Sequence, residues 1–197
     1  RVQPRSRGLG DVYKRQGYTH MRAAMPSSFG LWFSAYAEIL IDDVISLNST
    51  IEIINQNTLG SAAGYGTSFN IDRDFTTNDL NFKTLKYNSL ACQISRNKIE
   101  KNTFDTLGNI AFTLSKISMD ICLYSADEFQ FISFPENITT GSSIMPHKKN
   151  PDVFEIIRGK CNSIQNLSNS ASLSSTNLPS GYPVSYTHLT LPTIYSV

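Results

Sequence analysis

The strongest constraint on this chain is a pair of long stretches in which apolar residues recur every three or four positions. In the first stretch, residues 29–54, aromatic and aliphatic side chains form a broad stripe. Its members are Phe29, Trp32, Phe33, Tyr36, Leu40, Val44, Leu47, Ile51 and Ile54. This period predicts a buried helix of about eight turns that starts after the proline and serines at 26–28, where a hydroxyl can cap it.

The second stretch, 88–124, repeats the rhythm without a proline, and we expect one uninterrupted helix there. Because only one side of that helix is polar, it must pack lengthwise on similar helices. A third long helix is predicted over 152–176, although its serine-rich second half has weaker helix propensity. A short helix at 75–80 follows a loop at 55–74. The predicted fold class is therefore all α, a bundle of long helices.

Composition narrows the functional classes. Apolar residues make up 40% of the chain and the formal net charge is +1, so charge gives no reason to expect nucleic acid or a membrane as partner. The three cysteines are widely spaced and form no Cys-x-x-Cys pair, which argues against a disulfide framework and a zinc site. Without a membrane-length apolar run or a signal-peptide core, we expect a soluble, cytoplasmic protein.

The two ends differ from the rest of the chain. Residues 1–16 are basic and lack an apolar period, and the string VSYTHLTLPT stands near the other end. We interpret 1–16 and 183–197 as non-native flanks, which leaves 17–182 as a helical-bundle domain truncated at both ends. A basic arm that binds an acidic partner is the alternative interpretation for 1–16.

The segment from Thr140 to Asp152 is the best candidate for a functional site. A glycine, two serines, two lysines and an asparagine precede Pro151, where a helix pattern begins. A helix start exposes unpaired N–H groups and a partial positive charge, which together attract an anion. Lys149 would lie beside a bound carboxylate, and Gly141 would let Ser143 move over the ligand as a lid closes. The alternative is a solvated loop with two surface lysines.

Two other segments could contribute chemistry. Histidine titrates near neutral pH and threonine can offer a hydroxyl to a carboxylate, so Thr19 and His20 could act on a substrate. A structural capping role near a helix start is the alternative for this pair. The small residues of 59–66 predict a loop that allows close backbone approach. A phosphate cradle is disfavoured there because no Gly-Lys-Ser/Thr ending follows.

The string GSSIMPHKKNP at 141–151 resembles the Gly-Ser-Ser-x-Met-Pro-x-Lys-x-Asn-Pro motif of the fumarase, aspartase and argininosuccinate lyase superfamily. Five further segments follow the order seen in the argininosuccinate lyase family: GYTH at 17–20, NTLGS at 57–61, NS at 88–89, RGK at 158–160 and LPSGY at 178–182. Tyr18 and the Lys148-Lys149 pair favour that family over fumarase and aspartase. His147 departs from it, since the family usually has glutamine there.

This resemblance implies a carbon-nitrogen lyase of arginine biosynthesis, which splits argininosuccinate into arginine and fumarate by β-elimination. It also implies no metal, no organic cofactor and a full-length homotetramer whose sites are built from several subunits. The residues it assigns are His20 and Ser143 for catalysis and Thr19, Lys149, Asn150 and Tyr182 for substrate binding. Which of His20 and Ser143 is the base stays open. So do two alternatives, another superfamily lyase such as adenylosuccinate lyase and a catalytically silent structural homologue. We expect the chain alone to be inactive.

Overall fold

The structure, a computed structural model, describes residues 14–145 and 147–178. The chain divides into two compact units, Arg1–Asp42 and Asp43–Val197, and the boundary falls within the first long helix.

The first unit contains an antiparallel hairpin that the sequence did not predict. Strand β1 (Lys14–Thr19) pairs with β2 (Arg22–Ser28), and Thr19 lies opposite Arg22. The connecting residues His20 and Met21 have φ values of 51° and 58°, as a two-residue turn of the type I′ class requires. The Thr19-His20 pair therefore lies at a hairpin turn, which does not fit the alternative interpretation of a capping role near a helix start. Strand β1 also begins inside the segment interpreted as a flank.

Helix α1 (Phe29–Ile54) confirms the first predicted helix. The Leu31 N–H donates to Ser28 Oγ at 3.1 Å, so the serine just before the helix caps it as predicted. Aromatic rings contact one another along its first turns, and the rings of Trp32 and Phe33 are 4.6 Å apart.

The second unit continues with short elements. Strand β3 (Gln56–Asn57) pairs in parallel with β4 (Thr84–Leu85), and a 3₁₀ turn at Ala62–Gly64 lies between them in the chain. Helix α2 (Arg73–Asp79) confirms the predicted short helix, with its start shifted by two residues. Asp72 caps it by accepting the Phe75 N–H at 2.7 Å.

The single helix predicted over 88–124 was wrong, because two helices occupy that stretch. Helix α3 (Ser89–Ile94) starts at Asn88, whose Oδ1 accepts the N–H groups of Leu90 and Ala91. Helix α4 (Lys98–Ser125) starts after Asn97, whose φ of 60° interrupts the helical path.

Helix α5 (Asp152–Ser175) confirms the third long helix, and α4 and α5 pack along each other as expected. A carboxylate links them, because Asp105 accepts hydrogen bonds from the Ser168 hydroxyl and, at 2.5 Å, from Lys101 Nζ. The Lys101 and Ser168 hydrogen bonds lower the pKa of Asp105 below its ordinary value, so this carboxylate is ionised at neutral pH.

Helix α1 joins α4 through hydroxyl groups. The Thr50 and Thr106 hydroxyls are 2.7 Å apart, and the Thr113 hydroxyl donates to Asp43 Oδ2 at 2.8 Å. All three threonines are buried. Among the residues that the structure describes, the buried apolar ones are by contrast small: Cys92, Ala111 and Cys161. The all-α fold class is confirmed, and no helix in the described ranges has the length and apolarity to cross a membrane.

Candidate functional site

The segment at 140–150 forms a loop whose two ends are held together. The Asn150 N–H donates to the Thr140 carbonyl at 2.9 Å, and the Thr140 N–H donates to the Asn150 carbonyl at 3.3 Å. Within the loop, the Lys148 N–H donates to the Met145 carbonyl at 3.0 Å. The loop ends directly before α5, so the serines and lysines lie where the sequence placed them, ahead of a helix start.

The two adjacent serines differ in their surroundings. Ser142 is half-buried, and its Oγ accepts the N–H groups of Ile144 at 3.3 Å and Met145 at 3.2 Å. Ser143 is exposed. Amide donors stabilise a negatively charged oxygen, and the N–H groups of Ile144 and Met145 are in place to do so at Ser142. Ser142 is thus a second candidate, and the sequence could not separate two neighbouring residues of one type.

The two lysines also differ. Lys149 Nζ lies 3.1 Å from Glu136 Oε1 and forms an ion pair with it. Lys148 is exposed and has no ion-pair partner within residues 14–145 and 147–178. Asn150 is half-buried and is fixed through its backbone to Thr140. Within the described part of the chain, Lys149 is therefore ion-paired and Lys148 is not.

The start of α5 is less positive than the sequence suggested. Its first turn contains two acidic residues, Asp152 and Glu155. The Asp152 carboxylate accepts a hydrogen bond from the Thr140 hydroxyl, which further ties the loop ends together. Carboxylates in a first helical turn offset the partial positive charge of the helix. Attraction for a ligand anion must therefore come mainly from the loop lysines.

The remaining predicted site residues lie apart in the chain. Thr19 and His20 belong to the first compact unit, where both are exposed at the hairpin turn. A histidine in that position is open to a ligand or to another protein chain. Tyr182 lies outside the described residues.

Asn57, part of the NTLGS segment, has a structural role. Its side chain is fully buried, and its Nδ2 donates to the hydroxyls of Thr77 at 2.9 Å and Thr76 at 3.1 Å. Its Oδ1 accepts the Leu59 N–H at 2.9 Å. One amide thus joins the small-residue loop to α2.

The small-residue loop packs closely on α3. Gly64 has a φ of 93°, and a Cβ at this position would lie 2.9 Å from Gln93 Cγ. The Ser89 hydroxyl donates to the Gly64 carbonyl at 2.9 Å. This close approach explains why a glycine is needed at position 64, in the loop where the sequence predicted close backbone approach, and it joins that loop to the NS segment.

Thiols and carboxylates form no metal site in the part of the chain described, since no three His, Cys, Asp or Glu side chains cluster there. The three cysteines are free and at least half-buried. Burial raises the pKa of the Cys122 and Cys161 thiols, which keeps them in the neutral, less reactive form.

Comparison with known proteins places these features in a family. The family described as Lyase matches residues 6–166. The argininosuccinate lyases of Phocaeicola vulgatus and Parabacteroides distasonis are 53% and 54% identical over 166 residues, which is 84% of this chain and 37% of each relative. The chain therefore spans little more than a third of the length of these relatives.

A solved structure agrees with the sequence matches. An EDDS lyase variant with bound fumarate superposes with a TM-score of 0.83 at 26% identity, over 89% of this chain and 35% of that chain. The family match and the identity to argininosuccinate lyases confirm the superfamily that the GSSIMPHKKNP motif predicted. This chain belongs to the Lyase family, within the fumarase and aspartase superfamily.

Proposed function

We propose that this chain is part of an argininosuccinate lyase, a carbon-nitrogen lyase that releases arginine and fumarate in arginine biosynthesis. The observation that carries the proposal is the identity of more than half to argininosuccinate lyases over a segment that contains the whole 140–150 loop. The bound fumarate of the related EDDS lyase variant supports the product class. The proposed setting is the cytoplasm, and the proposed full-length form is a homotetramer with sites built from several copies.

The chemistry makes specific demands on the loop. Removal of a proton next to a carboxylate pushes a second negative charge onto that carboxylate, so the intermediate needs positive or N–H partners already in position. Lys149 and Asn150 are the proposed carboxylate ligands, and the exposed Lys148 is an additional candidate. No metal or organic cofactor enters the proposed reaction.

A serine and a histidine would move the protons. A serine can act as base only if its alkoxide is stabilised. Ser143 is the residue proposed from sequence, and the two amide donors at Ser142 Oγ make Ser142 the competing choice. His20 would exchange a proton with the departing guanidinium nitrogen, assisted by Thr19 and Tyr182 in substrate binding. The opposite assignment, with His20 as base and serine as acid, uses the same residues.

The test is an assay of the full-length gene product for fumarate release, followed by ultraviolet absorbance. Argininosuccinate, adenylosuccinate and aspartate are supplied in parallel, and fumarate hydration is measured as well. Turnover of argininosuccinate alone is the expected result. Preference for another substrate would move the protein within the superfamily, and a folded protein without any turnover would favour a silent homologue.

A matched pair of variants identifies the serine. We expect Ser142→Ala or Ser143→Ala, but not both, to lower kcat by about 10²- to 10⁴-fold, the range for loss of a proton-transfer group. The other variant should stay within a few-fold of the wild type and serves as the control. If Ser142→Ala, Ser143→Ala and His20→Asn all retain the kcat of the wild type, these residues do not perform the proton transfers.

A further inference from the structure

The carboxylate that contacts Lys149 belongs to the protein itself. Glu136 opens a 3₁₀ turn (Glu136–Ile138), and its Oε1 is 3.1 Å from Lys149 Nζ. The segments that carry the two residues are held side by side by the backbone pairing of Thr140 with Asn150. Glu136 thus reaches the cation that the proposed function assigns to a substrate carboxylate.

This ion pair is easily exchanged. The side chain of Glu136 is 86% exposed and that of Lys149 is 54% exposed. Water and salt screen such a pair, so neither partner loses much when it separates. A carboxylate of a bound ligand can therefore replace that of Glu136 on Lys149 without breaking any buried interaction.

Charge balance around the loop is consistent with such an exchange. Lys149 is neutralised by Glu136, and the start of α5 is offset by Asp152 and Glu155. The positive charge that would attract a ligand anion to this loop is therefore partly neutralised by the protein's own carboxylates. Removal of one of these carboxylates should strengthen anion binding.

We propose that Glu136 is a positioning residue that holds Lys149 while the site is empty. A ligand carboxylate must displace Glu136 from Lys149, and this competition lowers the affinity of the site for dicarboxylates. This inference rests on the proposed function, because it takes Lys149 as a carboxylate ligand. Glu136 itself contacts no reacting atom in this scheme. Its effect is on the binding of substrate and fumarate, and the proton-transfer steps do not depend on it.

The experiment measures fumarate binding to the full-length gene product by calorimetry, together with KM and kcat for argininosuccinate. Glu136→Gln should bind fumarate about two- to fivefold more tightly, the range of an exposed ion pair, and should lower KM with little change in kcat. The gain should shrink as salt is added. A residue with a merely structural role would instead change stability or kcat.

Two controls isolate the pair. Glu128→Gln removes the same charge from an exposed position on the same connecting segment and should leave fumarate affinity unchanged. In a Lys149→Met background, Glu136→Gln should not change fumarate affinity further, because Glu136 is proposed to act only through Lys149. The wild type, the two single variants and the double variant form the double-mutant cycle that tests this. Unchanged or weaker fumarate binding in Glu136→Gln, or an equal gain in Glu128→Gln, overturns the inference. If the wild type neither binds fumarate nor turns over argininosuccinate, the proposed function itself fails.

Discussion

Asn57 shows how one side chain can fix a segment that has almost no regular structure. Its amide is fully buried and joins the loop at 59–66 to α2 through bonds to two threonine hydroxyls and one backbone N–H. The backbone carbonyl of Asn57 also accepts the N–H of Lys86, the residue directly after β4, at 2.9 Å. Buried polar atoms are tolerated only when they are hydrogen-bonded. An apolar residue at position 57 would leave the partners of this amide without their hydrogen bonds and would lower stability.

We predict that Asn57→Ala destabilises this region by about 2–4 kcal/mol, because it removes the hydrogen bonds of a fully buried amide and takes away a partner of the buried Thr77 hydroxyl. Hydrogen exchange of the Leu59 and Lys86 amides, together with urea unfolding of the full-length gene product, measures the effect. Asn78→Ala is the control, since Asn78 is exposed on α2 and should change stability by less than about 0.5 kcal/mol. Equal exchange rates in both variants would contradict the structural role of Asn57.

Sequence reasoning reached the site loop but not the difference between its equivalent residues. The motif at 141–151 identified the loop and its place before a helix, because residue order alone carries that information. It could not show that the amide donors reach Ser142, or that Glu136 pairs with Lys149, since both depend on how the backbone turns. Asn57 was noticed only as part of a motif, because its burial arises from contacts with residues about twenty positions away.

At the scale of elements, the break between α3 and α4 depends on one residue. Asn97 has a φ of 60°, and its side chain makes no capping hydrogen bond to α4 within the described part of the chain. Asparagine enters the left-handed region more readily than other side chains except glycine. The role of this residue is therefore conformational.

We predict that two substitutions at this position differ in their cost to stability. Asn97→Ala should cost about 1 kcal/mol, because a Cβ without a compensating polar group strains the left-handed backbone. Asn97→Gly should stay within about 0.5 kcal/mol, because glycine adopts that conformation freely. Thermal unfolding of the full-length gene product and hydrogen exchange across 89–101 provide the measurement. A gain in stability with alanine would mean that α3 and α4 form the single helix predicted from the sequence.

The three long helices were predictable because their apolar period extends over many turns. A single residue that departs from the pattern does not hide such a period. The Asn97 break gave no proline or glycine signal, so the period continued through it. The hairpin was missed for a different reason. Its turn, His20-Met21, lacks the Asn-Gly or Gly-rich pair that usually indicates a type I′ turn, and β2 contains a proline.

At the scale of the whole molecule, the surface of the long helices is unusually apolar. Helix α1 exposes Leu31 (65%), Ile41 (60%) and Ile45 (59%), while Phe112 on α4 and Ile156 on α5 are also more than half exposed. A helix that is hydrophobic on most of its sides is stable only when other surfaces cover it. Since the chain spans 37% of the length of its argininosuccinate lyase relatives, such surfaces are expected in a longer protein or between copies.

We therefore predict that the 197-residue chain, expressed by itself, associates into mixed oligomers, binds a dye specific for apolar surfaces and releases no fumarate from argininosuccinate. The full-length gene product is the control and should be monodisperse, with weak dye binding and measurable turnover. Light scattering coupled to size exclusion gives the mass distribution, and the dye titration reports the exposed apolar area. Because we propose a site that is lined by more than one copy of the full-length protein, we expect activity only where those surfaces are covered. A monodisperse monomer of this chain that cleaves argininosuccinate would show that residues 14–178 bury enough surface and supply a complete site alone.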